Sequence, residues 1–156
     1  MRAVIQRVRR AAVHVDEKAV GRIGPGLVVF LGVGKGDREE DVDWMVEKIT
    51  HLRVFEDVEG RMDRSLLETG GESLVVSQFT LYGDVQKGRR PDFTAAAGSA
   101  EAEPLYHRFV QGLRGRGVQV QSGVFGARMQ VQLENDGPLT LILATGDRRP
   151  ETRSGL

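Results

Sequence analysis

The sequence predicts an α+β fold: a single domain in which a mostly antiparallel, barrel-like β-sheet carries two main helices. Three observations lead there. Strand-type patterns lie at both ends of the chain, two amphipathic helix patterns lie between them, and the two kinds do not alternate as a parallel βαβ series requires. At 156 residues the chain can bury a core without metal or disulfide staples. The domain is expected to span 1–145, with 146–156 as a mobile tail of little apolar content.

In order, residues 4–8 are a β-branched run and residues 12–15 continue it in extended form. Asp16, Glu17 and Lys18 read as a turn, with residues 19–23 as the returning strand. Gly24-Pro25-Gly26 breaks the chain, and the uninterrupted apolar run over 27–33 is expected to be a strand buried on both faces. Asp37 and Glu40 stand at N-cap and N3 spacing before Val42, Met45, Val46 and Ile49, which recur at helical spacing. A second helix shows in the stripe of Ala102, Leu105, Tyr106, Phe109, Val110 and Leu113. Pro104 is expected in or near its first turn, and Gly115 or Gly117 at its end. Short strands are expected at 53–55, 74–77, 118–121, 129–133 and 139–143, with a turn at 57–60.

Composition excludes more than it assigns. With 22 basic and 22 acidic side chains, the chain has no general basic coat for nucleic acid, although a local patch remains open. Zero cysteines exclude a disulfide scaffold, a zinc ribbon and a thiol nucleophile. No stretch approaches the ~18 apolar residues of a membrane span, and the first residues lack the apolar core of a secretory signal. The expectation is a cytoplasmic protein without a membrane partner.

Several apparent motifs fail on spacing. Gly32-Val33-Gly34-Lys35-Gly36 suggests a phosphate loop, but Val29 and Gly36 stand where that motif needs Gly and Ser or Thr. The dinucleotide fingerprint fails because Asp37 replaces its third Gly. His14, His51 and His107 are far apart and none has a metal-binding neighbour at helical spacing, so no metal or cofactor is expected. Arg2, Arg7, Arg9 and Arg10 read as the blunting of an exposed strand edge. Arg108, Arg114 and Arg116 read as cations suited to a helix C-terminus.

Two segments are chemically richer. Ser77-Gln78-Phe79-Thr80 follows an apolar strand directly, and buried strands rarely end in successive hydrogen-bonding side chains unless those groups have partners. Asn135-Asp136-Gly137-Pro138-Leu139-Thr140 lies between two strands, where ordinary turn chemistry also explains it. Together they resemble the two signatures of the D-aminoacyl-tRNA deacylases, Ser-Gln-x-Thr and Asn-x-Gly-Pro-x-Thr. Matching flanks occur in the same order: Ala3-Val4-Ile5-Gln6-Arg7-Val8, Gly24-Pro25-Gly26-Leu27, Arg89-Arg90-Pro91-Asp92-Phe93 and Phe125-Gly126-Ala127-Arg128-Met129. Members often carry Ser at the position of Asp92 and Asp at that of Arg128, a difference that bears on how the acceptor stem is held.

The resemblance implies an enzyme that hydrolyses the ester joining a D-amino acid to the 3′ end of tRNA. It acts as a homodimer with its site at the subunit interface. It implies a catalytic segment of Ser77, Gln78, Phe79 and Thr80, and substrate binding with chiral selection by Gly137, Pro138, Met129, Asn135 and Thr140. The Gly137-Pro138 peptide is expected to be cis and to enter the partner's pocket, its carbonyls confronting the substrate α-carbon. A filter that excludes L side chains without gripping D ones does not reject glycine, so glycyl-tRNA is a second expected substrate. Thr80 as nucleophile lacks a base in the sequence; backbone N–H groups near Gln78 to Thr80 are the preferred oxyanion donors. Phe79 and Met129 line the pocket or pack in the core. Lys87, Arg89 and Arg90 either meet acceptor-stem phosphates or form a solvated turn. The competing readings are an editing deacylase for achiral or L-amino acids, a non-catalytic tRNA-binding module, and a hydrolase of small D-amino-acid esters.

Overall fold

The structure, a computed structural model, describes residues 1–147. The predicted tail therefore lies outside the described residues from 148 onward. Its spine is β1 (Arg2–Val15), a central strand with neighbours on both sides. The first part of β1 pairs antiparallel with β3 (Gly26–Gly32), and the second part with β2 (Lys18–Ile23). Almost the whole length pairs antiparallel with β8 (Gln130–Ala144) on the other side. Beyond β3 the sheet continues through parallel β6 (Glu72–Ser77) and parallel β7 (Gln119–Ser122). Since β2 comes back against β6 and β7, the sheet curls almost into a barrel.

The spine serves two cores, one on each face, and the parity of its barrel-facing residues changes along its length. Ala3 and Ile5 face the helices, with Leu27, Val29 and Leu31 of β3 and Val75 of β6. Val8, Ala11 and Val13 face the barrel interior, with Val28, Leu74 and Val76. Strict alternation cannot place both 8 and 11 on one face. Opposite β8, Val8 pairs with Asn135 and Arg10 with Glu134, so Arg9 is an extra residue and the phase slips there. The run over 27–33 is thus buried on both faces, as its pattern predicts.

Helices α1 (Glu39–His51) and α3 (Ser99–Gly115) cover the outer face. The N-cap of α1 is Arg38 and not Asp37. Asp37 is drawn instead to the Met1 ammonium at 2.7 Å and to the Gly34 N–H at 2.6 Å, while Asp41 accepts the Arg38 N–H. Pro104 is the sixth residue of α3, just past its first turn; the N–H it lacks would have bonded the carbonyl of exposed Ala100. Gly117, at φ +89°, ends α3, with Gly117 N–H bonded to Arg114 and Val118 N–H to Leu113. Arg108 and Arg116 bind α1 acids, Asp43 and Glu47, so they tie the helices together and do not merely end one. Arg114 reaches the carbonyl of Val120.

Three short elements were outside the expectation or extend it. A hairpin joins β4 (Arg53–Glu56) to β5 (Met62–Ser65), and one turn of helix, α2 (Leu66–Thr69), follows. Ser65 and Glu68 exchange bonds as a capping box, a pattern present in the sequence as Ser-x-x-Glu.

Gly26 meets β6 so closely that an added Cβ would lie 1.8 Å from the carbonyl oxygen of Glu72. Gly26→Ala is expected to cost about 1–3 kcal/mol through forced separation of β3 and β6. Thermal unfolding checks this, at roughly 2–4 °C per kcal/mol for a chain of this size.

Candidate functional site

The barrel strand β6 carries its apolar run to Ser77, and the Gln78 N–H then donates to Leu31 of β3 at 2.8 Å. The chain next tightens into a 3-10 turn over Phe79–Tyr82, where the first turn bond runs from Leu81 N–H to the Gln78 carbonyl. The N–H groups of Phe79 and Thr80 precede that bond and have no acceptor among the described residues. Within the expected donor segment the Gln78 N–H is thus already engaged by β3, and the Phe79 and Thr80 N–H groups are not. The Thr80 hydroxyl accepts from the Gln78 side-chain amide and has no hydrogen bond to a basic side chain among the described residues.

Beside this turn lies an open cleft of about 430 Å³. Ser77, Gln78 and Phe79 form one wall and Phe125, Ala127 and Met129 another; none of the lining side chains is charged. Met129 lines the cleft and also packs on the barrel core, so both of its readings hold. Phe79 is 58% exposed and meets Phe93 edge to face, so it is not a core residue. Phe125, beyond the expected site residues, joins the cleft to the helical core through its contact with Tyr106. A larger hollow of about 580 Å³ crosses β2, β1 and β8 beside Arg10 and Glu134 and contains none of the motif residues.

The second segment is not a turn between two strands. Both halves of β8 follow β1, with Asn135 opposite Val8 and Thr140 opposite Gln6, so residues 136–139 bulge out against Arg7 alone. The Asn135 amide closes the base of the bulge, donating to the carbonyls of Arg7 at 2.9 Å and Leu139 at 3.0 Å. Gln6 donates to the Thr140 hydroxyl at 3.0 Å. At the exposed tip the Gly137-Pro138 peptide is cis and Gly137 has φ +121°.

Arg7 is the residue that sequence reasoning missed. It is only 6% exposed. Its guanidinium donates to the carbonyls of Val54 at 2.7 Å and Asp136 at 3.1 Å, and pairs with the Asp136 carboxylate at 3.5 Å. A Cβ on Gly137 would lie 2.5 Å from Arg7 Nη2. Parity was the available signal, since Arg7 continues the buried positions Ala3 and Ile5.

Among the described residues no hydrogen bond joins the two segments, and the cleft lining contains none of residues 135–140. Arg2 donates to the Leu81 carbonyl beside the first, whereas Arg7 holds the second. These positions are five residues apart on β1, roughly 16 Å. Lys87, Arg89 and Arg90 are exposed on a loop next to the 3-10 turn, closed by paired backbone bonds between Asp84 and Asp92. Asp92 accepts from Thr94, which holds its carboxyl below the ordinary value with help from Lys35. Arg128 is exposed beside the cleft. Among the described residues, no cluster of His, Asp and Glu is arranged to hold a metal, and no helix is long and apolar enough to cross a membrane.

The curled mixed sheet thus carries both signature segments, one in a turn at the end of β6 and the other in a Gly-Pro bulge of β8. The family model described as D-Tyr-tRNA(Tyr) deacylase matches residues 4–144. A Thermus aquaticus protein named D-aminoacyl-tRNA deacylase is 57% identical over 148 residues, 95% of this chain and 97% of its own. One of the same name from Desulfitobacterium hafniense is 56% identical over 92% of this chain and 96% of its own. Among solved structures, the c-Myc DNA Unwinding Element Binding Protein superposes with a TM-score of 0.87 at 42% identity, over 93% of this chain and 99% of that one. The chain belongs to the D-Tyr-tRNA(Tyr) deacylase family, whose members are hydrolases acting on ester bonds.

Arg7→Ala is expected to lower stability by about 2–4 kcal/mol, because two carbonyls and a carboxylate lose a buried cationic donor; the denaturant midpoint reads it. A second expectation concerns the two tyrosines. Burial pushes Tyr82 up to about 12, with the Asp37 carboxylate adding to the effect and Arg2 opposing it. Burial pushes Tyr106, which donates to the Val75 carbonyl, up to about 12 as well. Unfolded phenols ionise near ~10, so the native chain holds protons that the unfolded chain releases, and stability falls as pH rises from about 10 to about 12. Phenolate absorbance should show neither tyrosine titrating at its ordinary value before unfolding.

Proposed function

We propose that this chain hydrolyses the ester of D-aminoacyl-tRNA at a composite site. One copy supplies the cleft and the Phe79 and Thr80 N–H groups, and a second copy supplies the Gly137-Pro138 peptide. The observation that carries the chemical half is the pair of unbonded N–H groups at the start of the 3-10 turn, beside an uncharged cleft. Donors fixed in the backbone stabilise the oxyanion that develops when water adds to the ester carbonyl, without reorganising as charge forms. The C–O bond to the ribose then breaks and the ribose oxygen takes up the proton, with its neighbouring hydroxyl positioned to orient the attacking water. Ser77 and Gln78 support the turn. Thr80, without a base, supports it too and forms no covalent intermediate.

The chiral half rests on the bulge. Its tip is exposed and fixed by Arg7 and Asn135, and none of residues 135–140 lines its own chain's cleft. A second copy brings such a tip to the cleft. The outer edge of β8 also supports a homodimer: among the described residues β8 pairs only with β1, and Leu141 and Ile142 are exposed on it. A long uncovered edge is a surface that proteins usually protect. Backbone carbonyls at the α-carbon exclude an L side chain and leave a D side chain free. Glycine, without a side chain, passes the same filter, so misattached glycyl-tRNA is a further substrate. Lys87, Arg89 and Arg90 position the acceptor end through its phosphates, and the site of action is the cytoplasm, where aminoacyl-tRNA is used.

The test pairs D-tyrosyl-tRNA with L-tyrosyl-tRNA. Loss of the D-ester alone is expected, with most of the rate retained in Thr80→Ala. Gly137→Ala should lose on the order of a hundredfold, the usual scale for an ångström of misplacement. Tight tRNA binding without cleavage of either ester would replace this reading with a binding module, and an inactive Thr80→Ala together with an acyl-enzyme detected on an active Thr80→Ser would restore the nucleophile.

A further inference from the structure

The hydrolytic scheme gives Phe93 no task, yet its ring is exposed. Its edge-to-face contact with Phe79 has a centroid separation of 5.2 Å, and the two rings are 36% and 58% exposed. Phe79 lines the cleft and Phe93 does not, so an aromatic surface runs out of the cleft mouth towards the loop over 84–92. That loop is shaped by its own acids. Asp84 accepts the Gln86 N–H and Asp92 the Thr94 N–H, while the two backbones bond each other at 2.7 and 2.8 Å. Lys87, Arg89 and Arg90 remain in solvent, and none of them forms an ion pair among the described residues.

We propose that Phe79 and Phe93, flanked by this loop, form a stacking platform for the unpaired bases that precede the terminal nucleotide of the RNA substrate. The inference rests on the tRNA deacylase reading and extends it to a second contact region. The ester lies at the extreme 3′ end, so the preceding single-stranded nucleotides must leave the cleft across its rim. Exposed rings beside unpaired cations suit that strand: aromatic faces stack on any base, and cations track the phosphates. A protein partner would instead need acids to meet three cations around two rings.

The experiment uses the full chain, uncharged tRNA, D-tyrosyl-tRNA, and the D-tyrosyl ester of adenosine, which lacks every preceding nucleotide. Phe93→Leu keeps an apolar side chain but removes the ring. It should raise Kd for uncharged tRNA and KM for D-tyrosyl-tRNA about tenfold. Its kcat and its hydrolysis of the adenosine ester should stay at wild-type values, and Phe93→Trp should restore binding. Replacing Lys87, Arg89 and Arg90 together by Gln should lower the salt slope of tRNA binding by about 2, at roughly 0.7 per phosphate contact on a single strand. Unchanged Kd in both variants overturns the platform, as does equal loss on the adenosine ester. A shift of Phe93→Leu from dimer to monomer in sedimentation also overturns it, since the ring then belongs to a protein contact. If the wild type cleaves no D-ester, the deacylase reading falls, and the Kd comparison still decides the platform.

Discussion

Four residues of β8 stand opposite a single residue of β1, and the buried guanidinium of Arg7 makes that mismatch tolerable. A bulge of this size leaves backbone carbonyls without ladder partners. Arg7 takes the carbonyl of Asp136 on one side and that of Val54 on the other, so one charged side chain ties the bulge to the β4–β5 hairpin beneath it. Asn135 closes the remaining gap by bonding both Arg7 and Leu139. The cation is satisfied by oxygen on several sides, the condition under which a buried charge is held without a large desolvation loss. An exposed Gly-Pro tip with a defined orientation follows from this arrangement.

The second irregularity in β1 matters as much to the fold. The two faces of this 14-residue strand contribute to both cores, and the extra residue Arg9 moves its odd-numbered positions from the helical layer (Ala3, Ile5) to the barrel interior (Ala11, Val13). The cleft uses the barrel side of that division: Val76 and Met129 belong at once to the interior core and to the cleft wall. The floor of the site is therefore set by the same packing that stabilises the barrel.

Much of this was legible in the sequence. The apolar run over 27–33 could be read because burial on both faces leaves no polar alternation, and the helical stripes of α1 and α3 because each has one buried side. Both signature segments were found from their residue types and order. What could not be read is what depends on long-range competition. Asp37 has the local chemistry of a cap, but an ammonium group and a loop N–H outcompete the helix for it. The segment over 135–140 has the chemistry of a reversing turn, yet both its flanks pair with the same strand, which no local pattern encodes. Arg7 looked like its neighbours Arg9 and Arg10 because residue type alone does not separate the arginine that continues the buried parity of Ala3 and Ile5 from the two that do not. The Ser65–Glu68 capping box, by contrast, was fully local and simply short.

The two unbonded N–H groups at Phe79 and Thr80 have a consequence for heredity. They belong to the main chain, which substitution does not rewrite: replacement of either side chain leaves the donor in place, and proline alone among the encoded residues removes it. Mutational drift at these two positions therefore alters the shape and polarity of the cleft rim while the donors persist. A site built this way is buffered against the commonest kind of genetic change, and its vulnerability moves to the residues that hold the backbone still.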